Sequence, residues 1–202
     1  MDARIQTRRL SLRQPVLSDA EPLATYLNNF AVAGNLTRVP YPYRLADAKA
    51  WLRTWRADRP AEDTGFAIDL EGEGLIGHVG FHDDEEQGPV IGYWLGEPYW
   101  NRGLMTEAAT AALDWYFSVT AAPSIASGVF HFNKASLAIQ KKLGFTETGS
   151  SRRHCLARGE QVRHIDTELT RETWMAQSRD PGHAPILAVP GQPPSPRRRD
   201  VV

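Results

Sequence analysis

The chain has 202 residues, of which 42% are hydrophobic and 9% aromatic, and its formal net charge is −1 at pH 7. This length and composition are typical of a single globular domain and exclude an intrinsically disordered chain. No apolar run reaches the roughly 18 residues that a membrane-spanning helix requires, and the near-zero charge provides no broad positive field for nucleic acid. We therefore expect neither a membrane nor a nucleic-acid partner.

The beginning of the chain and its cysteine content bear on location. The first ten residues, MDARIQTRRL, contain an early acidic residue and no apolar stretch, unlike a secretory signal. The single cysteine, Cys155, cannot form a disulfide within the chain. Both observations favour a reducing, cytoplasmic location.

Residues 178–202 differ in composition from the rest of the chain. They contain six of the chain's 14 prolines and four of its arginines, and they show neither helical nor strand periodicity. We therefore predict a folded domain over residues 1–177, followed by an extended Pro/Arg-rich tail. The arginines of the tail leave the folded domain acidic, which favours a cationic small molecule as partner.

The first predicted elements are a strand and two helices. The strand covers residues 8–14, which read RRLSLRQ. A helix is predicted next because Ser18 and Glu21 have the spacing of a capping box. A second helix is predicted over Leu45 to Arg56, where the apolar residues recur at helical spacing.

Strands and helices alternate through the rest of the folded domain. Residues 64–97 contain three short strands separated by Gly-rich and acidic turns, which predicts an antiparallel meander. The elements predicted after it are a helix over about 103–119, a strand over 124–132, a helix over 134–144, and strands over 145–150 and 162–170. This order predicts an α/β (α+β) fold with a mixed, mostly antiparallel sheet of about six to seven strands, flanked by about four helices.

The stretch PYWNRGLMTEA, residues 98–108, places polar residues where a strand ends and a helix begins. A helix N-terminus presents unpaired backbone N–H groups and a positive dipole end, so it can bind an anion. Gly103 allows a ligand to approach the backbone closely, Asn101 tolerates a left-handed conformation, and Arg102 adds charge. An ordinary strand-to-helix turn is the alternative interpretation.

A second polar stretch, FNKASLAIQKKLGF, begins the next helix. Asn133 and Ser136 lie one helical turn apart, so both side chains can face the same point. Three of the chain's four lysines fall in this stretch, and a basic helix beside an anion-binding turn suits a ligand with several phosphates. Helix capping, with cations at the C-terminal end, explains the same residues without a ligand.

These stretches together resemble the GNAT superfamily of acyl-CoA N-acyltransferases, specifically its RimJ/RimL-like group. The resemblance extends in order from about residue 8 to residue 172. The segments that carry it are Gly92-Tyr93-Trp94, Trp100-Asn101-Arg102-Gly103, Thr106-Glu107-Ala108, Asn133 to Ser136, and Lys142 to Phe145. It implies a GNAT-like fold and an acetyl-CoA-dependent N-acetyltransferase.

The resemblance also implies roles for individual positions. Backbone N–H groups of the turn would hold the pyrophosphate of coenzyme A, and the strand before it would pair with the pantetheine arm. The backbone N–H near Leu95 would polarise the thioester carbonyl, and Ser136 would protonate the departing thiolate. The cofactor-binding residues implied in this way are Trp94, Leu95, Asn101, Arg102, Gly103, Leu104, Met105, Thr106, Asn133 and Lys142.

Two positions depart from the pattern of the group. Asn101 replaces the first glycine of its Trp-Gly-x-Gly segment, and Val90 stands where an acidic residue often precedes the Gly-Tyr pair. A base must take a proton from the amine, because an ammonium ion has no lone pair. Glu97, His131 and Tyr93 are candidate bases by position, with solvent as a further alternative.

The expected partners are a coenzyme A thioester and an amine, which is either a protein N-terminus or a small molecule such as a polyamine, an amino acid or an aminoglycoside. A homodimer is compatible with the sequence. Aromatic residues of the two early helices, among them Trp51 and Trp55, lie in the region that walls the acceptor pocket in the resembled family, so we expect one or two of them to contact substrate and most to pack in the core. We expect no metal, since His78 and His82 would lie about 13 Å apart on a strand.

The alternative function is a non-catalytic acyl-CoA-binding sensor, because Val90 removes the usual acid.

Overall fold

An eight-stranded sheet forms the centre of the computed structural model, which describes residues 4–55, 59–84 and 87–178. The strands follow the order β1-β2-β3-β4-β5-β6-β8-β7, and every neighbouring pair is antiparallel except β5 and β6. They cover β1 Ile5–Gln6, β2 Leu10–Arg13, β3 Gly65–Leu70, β4 Gly74–Asp84, β5 Gly88–Leu95, β6 Ser124–Phe130, β7 Thr146–Cys155 and β8 Glu160–Thr170. The predicted mixed, mostly antiparallel sheet is confirmed.

Six α-helices flank this sheet in the described part of the chain. They cover α1 Ala20–Leu27, α2 Phe30–Ala33, α3 Leu45–Arg53, α4 Leu104–Val119, α5 Lys134–Lys142 and α6 Arg171–Gln177. The sequence predicted α1, α3, α4 and α5 but not the short α2 and α6. Among these helices none is long and apolar enough to cross a membrane. The predicted tail lies outside the described residues from position 179 onward.

The predicted capping box at the start of α1 is wrong. Ser18 and Glu21 make no such pair, and Asp19 caps the preceding turn instead by accepting a hydrogen bond from the Val16 N–H at 2.8 Å. The Asp19 carboxylate is buried and also receives two hydrogen bonds from Arg13, at 2.7 and 2.8 Å. This double charge-assisted contact fixes Asp19, and α1 begins only after it.

Alternation along the strands divides the core between the two faces of the sheet. On β3, Phe66 and Ile68 pack in the cluster that contains α4, whereas Ala67 between them packs with α1 and α3. Small side chains bring α4 close to its face, since Ala108 and Ala112 are fully buried there. The opposite face, under α1 and α3, has the smaller core.

The parallel strands β5 and β6 diverge. Within the described part of the chain they share a single residue pair, Val90 with Ala126, although each strand continues for several residues beyond it. At the point of divergence the Ser127 hydroxyl donates a hydrogen bond to the Ile91 carbonyl at 3.0 Å. The strands therefore leave a gap between their C-terminal ends, in the middle of the sheet.

Candidate active site

A cleft of about 1470 Å³ opens at the gap between β5 and β6. Both diverging strands line it, together with the turn before α4, the first turns of α5, and α3 with the loop before it. Tyr93 and Ser136 are among its lining residues. The implied cofactor-binding residues that line it are Trp94, Leu95, Asn101, Gly103, Leu104, Met105, Thr106, Asn133 and Lys142.

The turn before α4 has the backbone that an anion site requires. Asn101 and Gly103 both adopt left-handed conformations, with φ of 58° and 72°. The first hydrogen bond of α4 runs from the Glu107 N–H to the Gly103 carbonyl. The N–H groups of residues 104–106 come before it and therefore have no acceptor within the helix. Within 4 Å, a Cβ atom on Gly103 would meet only Arg9, at 3.6 Å, so no other side chain packs against the turn at this residue.

Glu107 fixes this turn to the N-terminal hairpin. Its carboxylate accepts hydrogen bonds from the Thr7 hydroxyl at 2.7 Å and from Arg9, through the backbone N–H at 2.9 Å and Nε at 2.7 Å. Arg9 also donates to the Arg102 carbonyl at 3.0 Å. Burial acts to raise the pKa of Glu107, but the hydrogen bonds from Thr7 and Arg9 lower it below its ordinary value. The charged carboxylate thus stabilises the turn.

The N-terminus of α5 reaches across the gap to β5. Asn133 caps the helix by accepting a hydrogen bond from the Ser136 N–H at 3.1 Å. The Ser136 hydroxyl donates to the Tyr93 hydroxyl at 3.0 Å, and Tyr93 donates to the Ser136 carbonyl at 3.4 Å. Burial raises the pKa of Tyr93 to about 12, against smaller lowering effects from Ser136 and Gln140. Tyr93 is therefore a protonated donor at neutral pH and not a base.

A buried polar network below this pair ties α5 to the strands. Gln140 donates to the Ser127 hydroxyl at 2.8 Å and accepts from the Thr167 hydroxyl at 3.0 Å. Ser127 in turn holds the Ile91 carbonyl at the point where β5 and β6 part. This network could not be predicted from the sequence, because its members belong to elements far apart along the chain.

Aromatic rings form the wall of the cleft on the side of α3. The His78 ring packs edge to face against Trp51 and Trp55, with centroids 5.2 and 5.5 Å apart. Burial lowers the pKa of His78 to about 3, so its imidazole is neutral. The two tryptophans line the cleft. No group of three or more metal-binding side chains occurs among the residues that the structure describes.

Three predicted site residues lie outside the lining of the cleft. Glu97 is exposed and accepts a hydrogen bond from Asn29 Nδ2 at 2.5 Å. His131 is also exposed, at the end of β6. The Arg102 guanidinium lies over the Tyr99 ring, 5.9 Å from its centroid, and the residue contributes its backbone to the turn.

Comparison with known proteins gives a consistent family. The sequence model of a protein family, described as "Acetyltransferase (GNAT) domain", matches residues 9–146. The SPbeta prophage-derived uncharacterized N-acetyltransferase YokL of Bacillus subtilis is 27% identical over 124 residues, which are 60% of this chain and 70% of the relative. The [ribosomal protein uS5]-alanine N-acetyltransferase of Escherichia coli is 31% identical over 84 residues, 42% of this chain and 43% of the relative.

Solved structures agree on the fold. The microcin C7 self immunity acetyltransferase MccE, in complex with acetyl-CoA and AMP, superposes with a TM-score of 0.70 at 20% identity. The match covers 81% of this chain and 93% of that protein.

Proposed function

The chain belongs to the GNAT acetyltransferase family, as an N-acetyltransferase whose acetyl donor is acetyl-CoA, and from this premise we propose a direct transfer to a primary amine in the cleft. The donor supplies a thioester carbonyl that an amine can attack and a thiolate that can leave. In this proposal the turn at Asn101–Met105 binds the phosphates, β5 aligns the pantetheine arm, and Ser136 lies beside the sulfur. The acceptor is a peptide N-terminus or a small-molecule amine.

The phosphate site follows from the backbone of the turn. The open N–H groups of residues 104–106 and the positive end of α4 provide donors and partial charge for an anion. Lys142, exposed at the end of α5, lines the same cleft and adds a full positive charge. This donor set fits a pyrophosphate and needs no metal.

The strand geometry defines the groups available to an extended arm. The Ile91 carbonyl points toward β6, where Ser127 reaches it, and the Gly96 N–H points toward β4, where it bonds to the Ile76 carbonyl. Because successive residues of a strand alternate, the backbone groups of Tyr93 and the N–H of Leu95 face the gap. We assign Tyr93 to amide pairing and the Leu95 N–H to the carbonyl oxygen, as the oxyanion donor.

The pair of hydroxyl groups supplies the proton for the leaving sulfur. Ser136 Oγ gives its proton to the thiolate, and the Tyr93 hydroxyl, whose pKa of about 12 keeps it protonated at neutral pH, turns from the Ser136 carbonyl to Oγ and replaces that proton. The Tyr93 oxygen then takes up the proton that the acceptor nitrogen loses after the attack. The phenol is the more acidic of the two hydroxyls, so the relay runs from Tyr93 through Ser136. Asn133 orients Ser136 by capping its N–H.

One observation carries this proposal: the open N–H groups of the turn and the Ser136–Tyr93 pair meet in a single cleft at a gap in the sheet. The test is release of coenzyme A thiol from acetyl-CoA in the presence of a panel of primary amines. The panel contains an alanine N-terminal peptide, chosen because of the uS5-alanine relative, and polyamines, amino acids and aminoglycosides. Amine-dependent release is expected. Tight binding of acetyl-CoA without turnover across the whole panel would instead support the sensor alternative.

A further inference from the structure

The cleft has no carboxylate at the position on β5 where the resembled group often has one. Val90 occupies that position, and Glu97 and His131 lie outside the cleft. The Tyr93 hydroxyl is a proton donor at neutral pH because its pKa is about 12. A base that the protein itself supplies to the amine must therefore come from another element.

The strand register places His82 directly beside this position. His82 on β4 pairs with Val90 on β5, so the two side chains project from the same face with Cβ atoms roughly 5 Å apart. Both residues line the cleft. His82 is thus the nearest titratable side chain to the place of the missing carboxylate on the neighbouring strand.

The floor of the cleft next to His82 is open above Gly92 but not above Gly80, where an added Cβ atom would lie 2.7 Å from His78 Cε1. The adjacent cross-strand pair consists of Gly80 and Gly92, which have no side chains. A Cβ atom on Gly92 would meet no other atom within 4 Å, so an acceptor nitrogen has space above this residue. Tyr93, whose backbone N–H and carbonyl groups face the gap, is the next residue after Gly92. The acceptor amine would then lie between His82 and the thioester carbonyl.

We propose that His82 is the general base that takes the proton of the acceptor ammonium. The inference rests on the proposed transferase function. It assigns a residue to the removal of the ammonium proton, for which that function names none.

The other histidine of β4 does not fit this role. His78 Nε2 lies 2.7 Å from the position that a Cβ atom would take on Gly65, on the side of β3. The ring is enclosed by Trp51 and Trp55, and Nε2 is buried. A base whose pKa is about 3 is also too weak to remove an ammonium proton at neutral pH.

Burial keeps the His82 imidazole neutral and able to accept a proton. Burial lowers its pKa below 6.5, and the positive charge of Arg38, from the loop after α2, acts in the same direction. Three carboxylates oppose this shift: Asp83 and Asp84 on the same strand, and Asp63 from the turn before β3. The net direction is downward, so the imidazole is unprotonated at pH 7.

The protons balance as follows. Between the ammonium ion and the amide product, the acceptor nitrogen loses two protons. One passes through the His82 imidazole to solvent before the attack. The other leaves the nitrogen after the attack and restores the Tyr93 hydroxyl, replacing the proton that passed from Tyr93 through Ser136 to the coenzyme A sulfur. The nitrogen–carbon bond forms first, with the negative charge on the carbonyl oxygen beside the Leu95 N–H, and the carbon–sulfur bond then breaks; no oxidant or reductant is needed.

The test compares the wild-type protein with His82→Gln, using an amine that the panel identifies as an acceptor. At pH 7 we expect kcat/KM for the amine to fall about 100-fold. Calorimetry should give an unchanged dissociation constant for acetyl-CoA, which also shows that the variant is folded. The loss should shrink as the pH approaches the pKa of the amine, because the free amine then needs no base. A purely structural defect would give the same loss at every pH.

A rescue variant separates a base from a residue that only packs. Adding Val90→Glu to His82→Gln places a carboxylate at the cross-strand position. The double variant should have a kcat/KM at least tenfold higher than His82→Gln alone. Histidine NMR of the wild-type protein without acetyl-CoA provides a readout independent of activity and of the variant's folding. The His82 resonance should titrate below pH 6.5, at the pKa of the acid limb of kcat/KM.

The outcomes distinguish this inference from the function on which it rests. Full activity of His82→Gln at pH 7, with Ser136→Ala impaired, would overturn the role of His82 and leave the transferase function intact. An activity profile whose acid limb differs from the NMR pKa would also overturn it. Absence of turnover in the wild-type protein with every amine would remove the proposed function and the base together.

Discussion

The Ser136 hydroxyl donates a hydrogen bond to the Tyr93 hydroxyl at 3.0 Å across the gap between α5 and β5. Because this contact joins the two hydroxyl groups of the proposed relay, Tyr93→Phe and Ser136→Ala should each lower kcat about 100-fold. The double variant should be no slower than the slower single variant, since either change breaks the same relay. Steady-state kinetics of the three variants test this coupling.

The binding of acetyl-CoA is the control for that experiment. Neither hydroxyl belongs to the turn before α4, and Ser136→Ala retains the N–H that Asn133 caps. Calorimetric dissociation constants should therefore stay within about threefold of wild type. Additive effects of the two substitutions would contradict a relay and indicate two independent roles.

Access to the turn before α4 should control cofactor binding. Gly103→Trp adds a large side chain to the turn, at a position where a Cβ atom would meet only Arg9 within 4 Å, and we expect acetyl-CoA binding to weaken at least tenfold. Gly103→Ala is the matched control, because it imposes the same strain at φ 72°, about 1 kcal/mol, without filling the space. Asn101→Gly should bind normally, since glycine adopts φ 58° readily. Equal binding by Gly103→Trp and wild type in calorimetry would contradict the site.

Glu107 should stabilise the fold in a pH-dependent manner. The pKa of Glu107 is lowered in the folded state, so its stabilisation is present above its unfolded pKa, near 4.5, and is lost as the pH falls through the lower folded value. Glu107→Gln should lower the free energy of unfolding at pH 7 by about 1–3 kcal/mol, because hydrogen bonds to Thr7 and Arg9 lose their charge. Urea denaturation of the wild-type protein and Glu107→Gln at pH 7 and pH 3 measures the difference between their free energies of unfolding at each pH. A difference that stays constant with pH would show that the carboxylate charge is unimportant.

The sequence predicted the parts of the site that are local in the chain. Asn101 and Gly103 lie within one turn, and Asn133 and Ser136 within one turn of a helix, so spacing alone places each pair. The helix caps were less predictable. Asp19 makes the capping hydrogen bond in place of Ser18, because Arg13 on a preceding strand holds the Asp19 carboxylate.

The remaining features depend on strand register and on tertiary contacts. His82 and Val90 become neighbours only through the pairing of β4 with β5, and periodicity does not give that register. The contacts of Gln140 with Ser127 and Thr167 join a helix to two strands. Proximity in sequence was also a poor guide, since Glu97 follows β5 closely but lies outside the cleft. The boundary of the folded domain at residue 177 remains a prediction.

His78 should make the protein less stable in mild acid. Its pKa is about 3 in the folded state and near 6.5 when unfolded, so between these values the unfolded chain binds the additional proton. Stability is therefore lost as the pH falls below about 6.5. One such proton changes the free energy of unfolding by up to about 1.4 kcal/mol per pH unit, or about 2 kcal/mol between pH 6.5 and pH 5.

The variant His78→Leu removes this titration and keeps an apolar group of similar size between Trp51 and Trp55. We expect the stability of the variant relative to wild type to rise by about 2 kcal/mol from pH 7 to pH 5 in urea denaturation. The contributions of His82 and of the carboxylates cancel in this comparison, because both proteins contain them. A relative stability that does not change between the two pH values would mean that His78 becomes protonated in the folded protein, with its ring accessible from the cleft.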